Sequence, residues 1–518
     1  MSRSLPGCGI PTLARLLVVA LACTLCAGLP ANASPWRAKA ESIAHVAVAD
    51  GLSRGVVVAW VSPEDRGWVS AGNSGNAQRP AIDDRTLFEI GSITKTFTAS
   101  LLATAVETGD LALADRLDQL APELRLGNAA IGAITLAELA THTSGLPRLP
   151  LSSQGTKRLL FNFNNPYRGT AVSELWEHLA HPSLIEAGPE GKKPQQYSNF
   201  GFALLGQLLA KRLHADYAEL IAARLLRPLG MNHTQVHAPL AQRPLLAQGH
   251  KTNFRPTENW DLDAYAPAGG IWSNAGDLGR YLAAQIDQSA PGARLAQTLR
   301  VAPPLWPHAM GLGWFIEYYE GRQAYWHNGG TGGFRSFIAF EPAARSGVVV
   351  LSNTAQDIDD LGWHLLLDKP MTPRESTWSS QTLTVLLTLL GPYGLWRLRR
   401  QLQAPMGLAR PAAASKPWLA DISKALRRSR EHDRLSVVST VVSAGFLMTL
   451  SRALGAWQFL PMELWWLALA GTTLLAARLW QPARTLPWTL ARSWWHWLGW
   501  WAGMILMSAG APALYLFA

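Results

Sequence analysis

Cysteine is nearly missing from this chain of 518 residues: there are three, Cys8, Cys23 and Cys26, all close to the N-terminus. Once that stretch is removed, the rest can form no disulfide, offers no thiol nucleophile and builds no thiolate metal site. Charge is also sparse, at 16 % of residues against 48 % hydrophobic, which excludes a disordered chain. Acids are scarcest toward the end. From Thr377 onward there are 14 Lys+Arg and 4 Asp+Glu, which leaves 32 of each sign before it. The net charge of +10 therefore belongs wholly to the last quarter, and the preceding part is neutral. A nucleic-acid partner is not expected from such a distribution. The same last quarter carries 13 of the 23 Trp. Two solvents are implied, water for the first part and lipid for the last.

The N-terminus has Arg3 and Arg15, the apolar run Leu16–Leu25 and then Ala31-Asn32-Ala33. This pattern predicts a secretory signal peptide over 1–33, with an uncleaved anchor as the alternative. Four apolar stretches near the other end, Thr377–Trp396, Leu435–Leu450, Phe459–Ala477 and Ser493–Ala518, each approach the ~20 residues that a helix needs to cross a bilayer. The segment Arg397–Arg434 between the first two holds ten bases and three acids, and Arg478–Arg492 holds three bases and no acid. Positive charge marks the cytoplasmic side. The expected organisation is a water-soluble domain over 34–368, a linker over 369–376 and a membrane domain over 377–518 with about four transmembrane helices. It places the protein in the cytoplasmic (inner) membrane as a multi-pass protein, in contact with membrane lipid, with the soluble domain facing the periplasm or exterior.

Within 34–368 the patterning is mixed α/β. Gly55–Ser62 and Gly67–Gly72 predict a strand pair turned by Pro63-Glu64-Asp65, and Ile43–Leu52 predicts part of an early helix. Ser92–Thr108 predicts a helix with Phe97, Leu101, Leu102 and Val106 on one face. Asn199–Leu213 and Tyr217–Leu226 predict further helices, the second stopped by Pro228 and Gly230. Leu312–Tyr319, Gln323–Trp326, Phe334–Phe340 and Gly347–Leu351 predict an antiparallel meander. Strands at both ends with helices between them suggest one sheet closed by distant segments.

The segment Leu87–Ser100, LFEIGSITKTFTAS, contains a Ser-x-x-Lys pair, Ser92 and Lys95. Residues three apart on a helix share a face, so the hydroxyl and the amine can touch. A desolvated lysine with a lowered pKa can take the proton that keeps a serine hydroxyl unreactive. Ser92 could equally be a plain helix N-cap. His178 and His181 stand three apart but lack a third ligand at convincing spacing, so an exposed helix face is the expectation and no metal is.

The Ser-x-x-Lys segment resembles the active-site motif of the serine β-lactamase and penicillin-binding protein superfamily, most of all class C β-lactamases, D-alanyl-D-alanine carboxypeptidases and family VIII esterases. The likeness covers about residues 40–365. It is carried further by Thr141-His142-Thr143-Ser144-Gly145-Leu146-Pro147, Tyr197-Ser198-Asn199, Pro267-Ala268-Gly269-Gly270-Ile271-Trp272-Ser273, Met310-Gly311-Leu312-Gly313-Trp314 and His327-Asn328-Gly329-Gly330, in that order. The resemblance implies an α/β fold, an antiparallel sheet flanked by helices plus an all-helical lobe, here followed by an α-helical membrane region. It implies catalysis by Ser92, Lys95 and Tyr197, with Asn199 on the substrate amide or on the Lys95 amine. The oxyanion hole would use the backbone N–H groups of Ser92 and Gly330, with Gly329 allowing close approach. His327 stands where β-lactamases usually have Lys; an unperturbed imidazole is mostly neutral at pH 7, which suits peptidase and esterase relatives better than penicillin hydrolysis. His142 is expected to structure its loop.

The function implied is a membrane-anchored serine hydrolase, working through an acyl-enzyme on a peptide or small ester substrate and needing no cofactor. Candidate substrates include D-amino-acid-containing peptides, since one subgroup of relatives with C-terminal membrane helices removes acylated D-amino-acid leaders. The alternatives are a penicillin-binding sensor that signals through its helices, a β-lactamase proper and an inactive scaffold. Oligomeric state is not legible.

Overall fold

The computed structural model describes residues 34–150, 165–184, 196–302, 308–371, 378–403, 434–454 and 462–484. The expected signal peptide, the fourth apolar stretch and most of the basic segment between the first two lie outside the described residues.

Seven strands form one antiparallel sheet in the order β2-β1-β10-β9-β8-β7-β6: β1 Gly55–Val61, β2 Arg66–Gly72, β6 Ala309–Met310, β7 Phe315–Tyr319, β8 Arg322–Gly330, β9 Arg335–Glu341 and β10 Ser346–Ser352. β1 pairs with both β2 and β10, so the first strands are zipped onto the last. The run Val56-Val57-Val58-Ala59-Trp60 has no polar member, as a strand covered on both faces requires. Val56, Val58 and Trp60 enter one core with the helix Pro35–Ala49 and the helix Asp359–Leu367. Val57 and Ala59 enter the other, with the helix Ala275–Ile286 and the helices of the second layer. A small second sheet, absent from the sequence reading, joins β3 Phe88–Glu89, β4 Gln235–Val236 and β5 Ile271–Ser273 in the order β3-β5-β4.

The helix expected over Ser92–Thr108 differs in two ways. It opens with a 3-10 turn, Gly91–Ile93, before the α-helix Thr94–Glu107. It is also not amphipathic. Lys95, Thr96, Phe97, Thr98, Ala99, Ser100, Leu101 and Leu102 are all fully buried. The polar members are satisfied locally or by neighbours: Thr96 Oγ1 donates to Ile93 O at 2.8 Å, and Thr98 Oγ1 donates to Pro267 O at 2.7 Å. Tyr217–Leu226 is an α-turn, Tyr217–Ile221, followed by a π-helical stretch, Ala222–Leu226.

Three of the C-terminal apolar stretches are helices, Trp378–Gln403, Arg434–Leu454 and Met462–Ala483. The first runs through Arg397, Arg399 and Arg400 rather than ending before them. Among the described residues no helix is long and apolar enough to cross a membrane, so the expected transmembrane helices are not supported there. The shortfall is one of apolarity, since these helices have 26, 21 and 22 residues. Thr384, Thr388, Ser451 and Thr472, together with the arginines, dilute the leucines.

Candidate active site

The nucleophile turn is held from three sides. Ile90 N–H donates to Ile271 O, Ser336 Oγ donates to Ile90 O at 2.8 Å, and Ile271 N–H donates to Thr94 Oγ1 at 3.1 Å. Two glycines let this turn touch β8. A Cβ on Gly329 would stand 2.0 Å from Ile90 O, and one on Gly91, whose φ is +48°, would stand 2.7 Å from Gly330 N. No side chain fits at either place. The turn that carries Ser92 is thereby brought against Gly330, and Ser92 and Gly330, the pair expected to form the oxyanion hole, line the same cleft.

Ser92, Lys95 and Tyr197, the last 105 positions from the first, converge. Lys95 Nζ lies 2.9 Å from Ser92 Oγ and donates to Ala268 O at 2.7 Å. The Tyr197 hydroxyl lies near enough to Ser92 to interact with it, and Lys95 Nζ lies 4.9 Å from the centre of its ring. Ser92 caps no helix, as neither adjoining helix has a side-chain cap at its start. Burial, reinforced by the Arg148 charge, holds the Lys95 amine well below the ordinary lysine range, and burial pushes the Tyr197 phenol up. Burial thus favours the neutral amine, the form that can accept a proton, while the phenol keeps its own.

Tyr197 is placed by His142, as the loop-structuring reading expects. His142 Nδ1 accepts from Ser198 N–H at 3.1 Å, and its ring packs 4.3 Å from that of Tyr197. Ser198 starts the helix Asn199–Arg212 by accepting from Gly201 N–H at 2.8 Å, a hydroxyl cap. Asn199 does not reach Lys95, whose amine is taken by Ser92 and Ala268. Asn199 Nδ2 donates to Tyr167 Oη at 3.0 Å, and its Oδ1 has no partner among the described residues. A substrate N–H can fill that position.

His327 is fully buried on β8. Its Nδ1–H donates to Asn328 O at 2.6 Å, and its Nε2 has no partner among the described residues. Burial first, then the nearby Lys95, brings its pKa down to about 3. It is therefore neutral across the physiological range and supplies no cation to the site. Among the described residues no cluster able to hold a metal is present; His178 instead packs edge-on against Phe200.

The cleft in front of Ser92 is walled by Tyr167, Trp260, Leu262, Gly269 and Thr331. Sequence reasoning missed the aromatic pair Tyr167 and Trp260, whose rings lie 5.4 Å apart, and also Glu89. Glu89 sits behind this wall, 4 % exposed. Its Oε1 accepts from Trp260 N–H at 2.8 Å. Burial lifts its pKa to about 8, against the lowering effect of Thr331 and Trp260. The only sequence signal for Glu89 was a lone acid in the apolar lead-in to Ser92.

A profile of the beta-lactamase family matches residues 40–368. A beta-lactamase of Providencia stuartii is 34% identical over 204 residues, 39% of this chain and about half, 47%, of that protein. The D-alanyl-D-alanine-carboxypeptidase/endopeptidase AmpH of Escherichia coli (strain K12) is 30% identical over 324 residues, 57% of this chain and 80% of that protein. Among solved structures, a class C beta-lactamase superimposes with a TM-score of 0.56 at 23% identity, over 67% of this chain and 99% of the other. The beta-lactamase/D-alanine carboxypeptidase of Pseudomonas syringae gives 0.54 at 23% identity, over 65% and 100%. The structures speak for the fold, and the profile and the AmpH alignment for the family.

Proposed function

Because the chain belongs to the beta-lactamase family, whose members are serine hydrolases, we propose that it cleaves amide or ester bonds through an acyl-enzyme on Ser92. Ser92 Oγ bonds to the substrate carbonyl carbon while its proton passes to Lys95 Nζ. The N–H groups of Ser92 and Gly330 hold the oxyanion. The scissile bond breaks as the leaving amine or alcohol takes a proton delivered through Lys95 and Tyr197, whose phenol bridges the cleft. Water then adds to the acyl carbonyl, loses its proton to the same pair, and displaces Ser92 Oγ. The observation that carries this reading is a buried amine of lowered pKa 2.9 Å from the hydroxyl it must activate. Lys95 is accordingly the acylation base and Tyr197 the proton carrier.

The neutral His327 favours a peptidase or esterase over a β-lactamase proper, in keeping with the carboxypeptidase/endopeptidase among the relatives. D-amino-acid-containing peptides and small esters are the substrate classes to test. A screen of the protein beside its Ser92→Ala variant against D-aminoacyl amides, short-chain esters and a chromogenic cephalosporin decides this. Ester or peptide turnover with little cephalosporin hydrolysis is expected. Fast cephalosporin turnover overturns the preference, and a long-lived adduct without turnover favours a sensor.

The reading also places the hydrolase at the outer face of the cytoplasmic membrane, behind a signal peptide and held by the C-terminal helices. Its support is the inverted patterning of those helices: Thr384, Thr388 and Ser451 are buried, while Leu386, Leu467 and Trp480 are exposed. Polar residues that face other helices lower the mean hydropathy without facing lipid. Carbonate extraction and protease protection of intact cells test it. Release of the protein by carbonate, or a protected catalytic domain, contradicts it.

A further inference from the structure

The active site and the way out of the domain lie at opposite ends of one strand. β8 starts at Arg322 and ends at Gly330, which lines the cleft with Ser92. Its nine residues span about 27 Å at the ordinary rise of a strand. The chain leaves the domain at the Arg322 end. Arg322 Nη2 donates to Leu366 O at 2.9 Å, and the same guanidinium pairs with Glu341. The next residues are strapped down as well. Asp368 pairs with Lys39 of the helix Pro35–Ala49 at 2.5 Å. Lys369 Nζ pairs with Glu317 of β7 at 2.7 Å and stands 4.4 Å from the centre of the Trp363 ring and 4.7 Å from that of Tyr319.

An ammonium held by a carboxylate and two rings leaves this exit little freedom. From Met371 to Trp378, where the first C-terminal helix begins, the chain can reach at most about 25 Å. The Arg322 end of the sheet is therefore tethered close to those helices, and the Ser92 end is not. The tethered end also keeps aromatic surface outside. Tyr318, toward the end of β7, is 58 % exposed, and Trp68, on β2 two positions after Arg66, is 38 % exposed. Around them Arg37, Arg66 and Arg345 are matched by Glu41, Glu64, Asp65 and Glu320, so this face offers no excess of positive charge to anionic lipid. Exposed aromatics without net charge suit the headgroup layer of a bilayer, where one end of the ring is apolar and the other wet.

We infer that this end of the sheet rests on the headgroup layer of the membrane through Tyr318 and Trp68, and that the site, held at the far end of β8, takes its substrate from the water and not from the bilayer. This rests on the hydrolase reading and the membrane placement above and specifies the substrate class. The substrates are water-borne peptides or esters, or groups that a membrane-bound molecule holds about 30 Å or more from the headgroups. A lipid-borne ester at headgroup level is out of reach.

The test uses the full-length chain in phosphatidylcholine nanodiscs and a fluorophosphonate, at whose phosphorus Ser92 Oγ displaces fluoride. The probe is offered free in solution, or tethered to a lipid headgroup by a spacer reaching about 10 Å or about 60 Å, below and above the span of β8. The readout is the rate of Ser92 labelling, followed by peptide mass mapping and divided by the rate of the free probe with the same spacer. The long tether should label at least about tenfold faster than the short one, because a tether that cannot span the gap gives almost no effective concentration. Tyr318→Asp combined with Trp68→Asp, both outside the catalytic machinery, should leave the free-probe rate unchanged and bring the two tethers within about threefold of each other, since a domain no longer seated tips its site toward the lipid. A loss of folding in that variant shows in the free-probe rate, and the wild-type comparison then decides alone. A short tether that labels as fast as the long one overturns the inference, as does a well-folded variant with an unchanged ratio. Failure of the protein to co-elute with nanodiscs removes the membrane placement and this inference with it. Absence of Ser92 labelling by the free probe sinks the hydrolase reading and is separable from either result.

Discussion

The catalytic domain and the C-terminal helices differ in what they expose. In the domain, leucines and valines fill two cores; Lys95, Glu89 and His327 are buried around one serine, while the buried Asp277 and Glu341 are each paired with an arginine elsewhere. The helices bury Leu395, Leu398 and Leu479 beside Thr384, Thr388 and Ser451, but leave other large apolar side chains exposed, among them Leu386, Leu389, Leu467 and Trp480. Water drives the first arrangement, since burying a charge is unfavourable unless it serves a paired or functional role. The second is stable only where the surroundings are apolar or another surface covers the leucines.

The largest effect expected is at the reacting groups. Ser92→Ala and Lys95→Ala should each lower kcat/KM by about a thousandfold or more, and the double variant by little beyond either single one, because the two act as a unit. Additive losses would break the pairing. Next is the contact between turn and strand. Gly329→Ala forces a methyl onto Ile90 O and should lower stability by about 2–3 kcal/mol, read from denaturant midpoints, with activity falling further as Gly330 is pushed away from Ser92. A variant of wild-type stability and activity would show that the close approach is not needed.

In the helices the expectation reverses. Leu386→Asn and Leu467→Asn, on the exposed face, should weaken membrane association in flotation assays, while Thr388→Val, on the buried face, should leave it in place. If the leucine substitutions merely increase soluble yield, the face meets water and the contrast between the regions collapses.

The smallest effect concerns Glu89. Its pKa is raised from 4.5 to about 8 in the folded protein, so the folded state holds a proton that the unfolded chain gives up. The stability linked to that proton is fully present below pH 4.5 and is lost as pH rises through 8. Glu89→Gln, neutral at every pH, should flatten this decline, with Tm about a few degrees above wild type at pH 8.5 and no such gain at pH 4.5. Parallel Tm–pH curves would show that Glu89 ionises as it would in water.

How much was legible follows from range. The β1–β2 hairpin and the late meander were readable because their apolar runs and turns are local. Ser92 and Lys95 were readable because three residues on a helix are one turn. Tyr197 was found through the motif resemblance, since no local rule links it to position 92. Tyr167, Trp260 and Arg148 reach the site by tertiary packing, and nothing in their own neighbourhoods sets them apart; Glu89 was marked only as a lone acid in an apolar lead-in. The helix Thr94–Glu107 misled for a related reason. Its threonines look like a solvent face, yet Thr96 and Thr98 bond to carbonyls and to the tyrosines that cover them. The C-terminal helices were located by their leucines, but length and leucine content do not tell which face meets lipid.

The central claim is that a neutral Lys95 activates Ser92, and the rate of covalent labelling by a fluorophosphonate as a function of pH, with the adduct located by peptide mass mapping, tests it most directly. The account predicts one adduct, on Ser92, whose formation rate levels off well below the ordinary lysine range, because burial favours the neutral amine. An adduct elsewhere, or a Ser92 rate that climbs about tenfold per pH unit up to the pKa of a free lysine near 10.4, would contradict it.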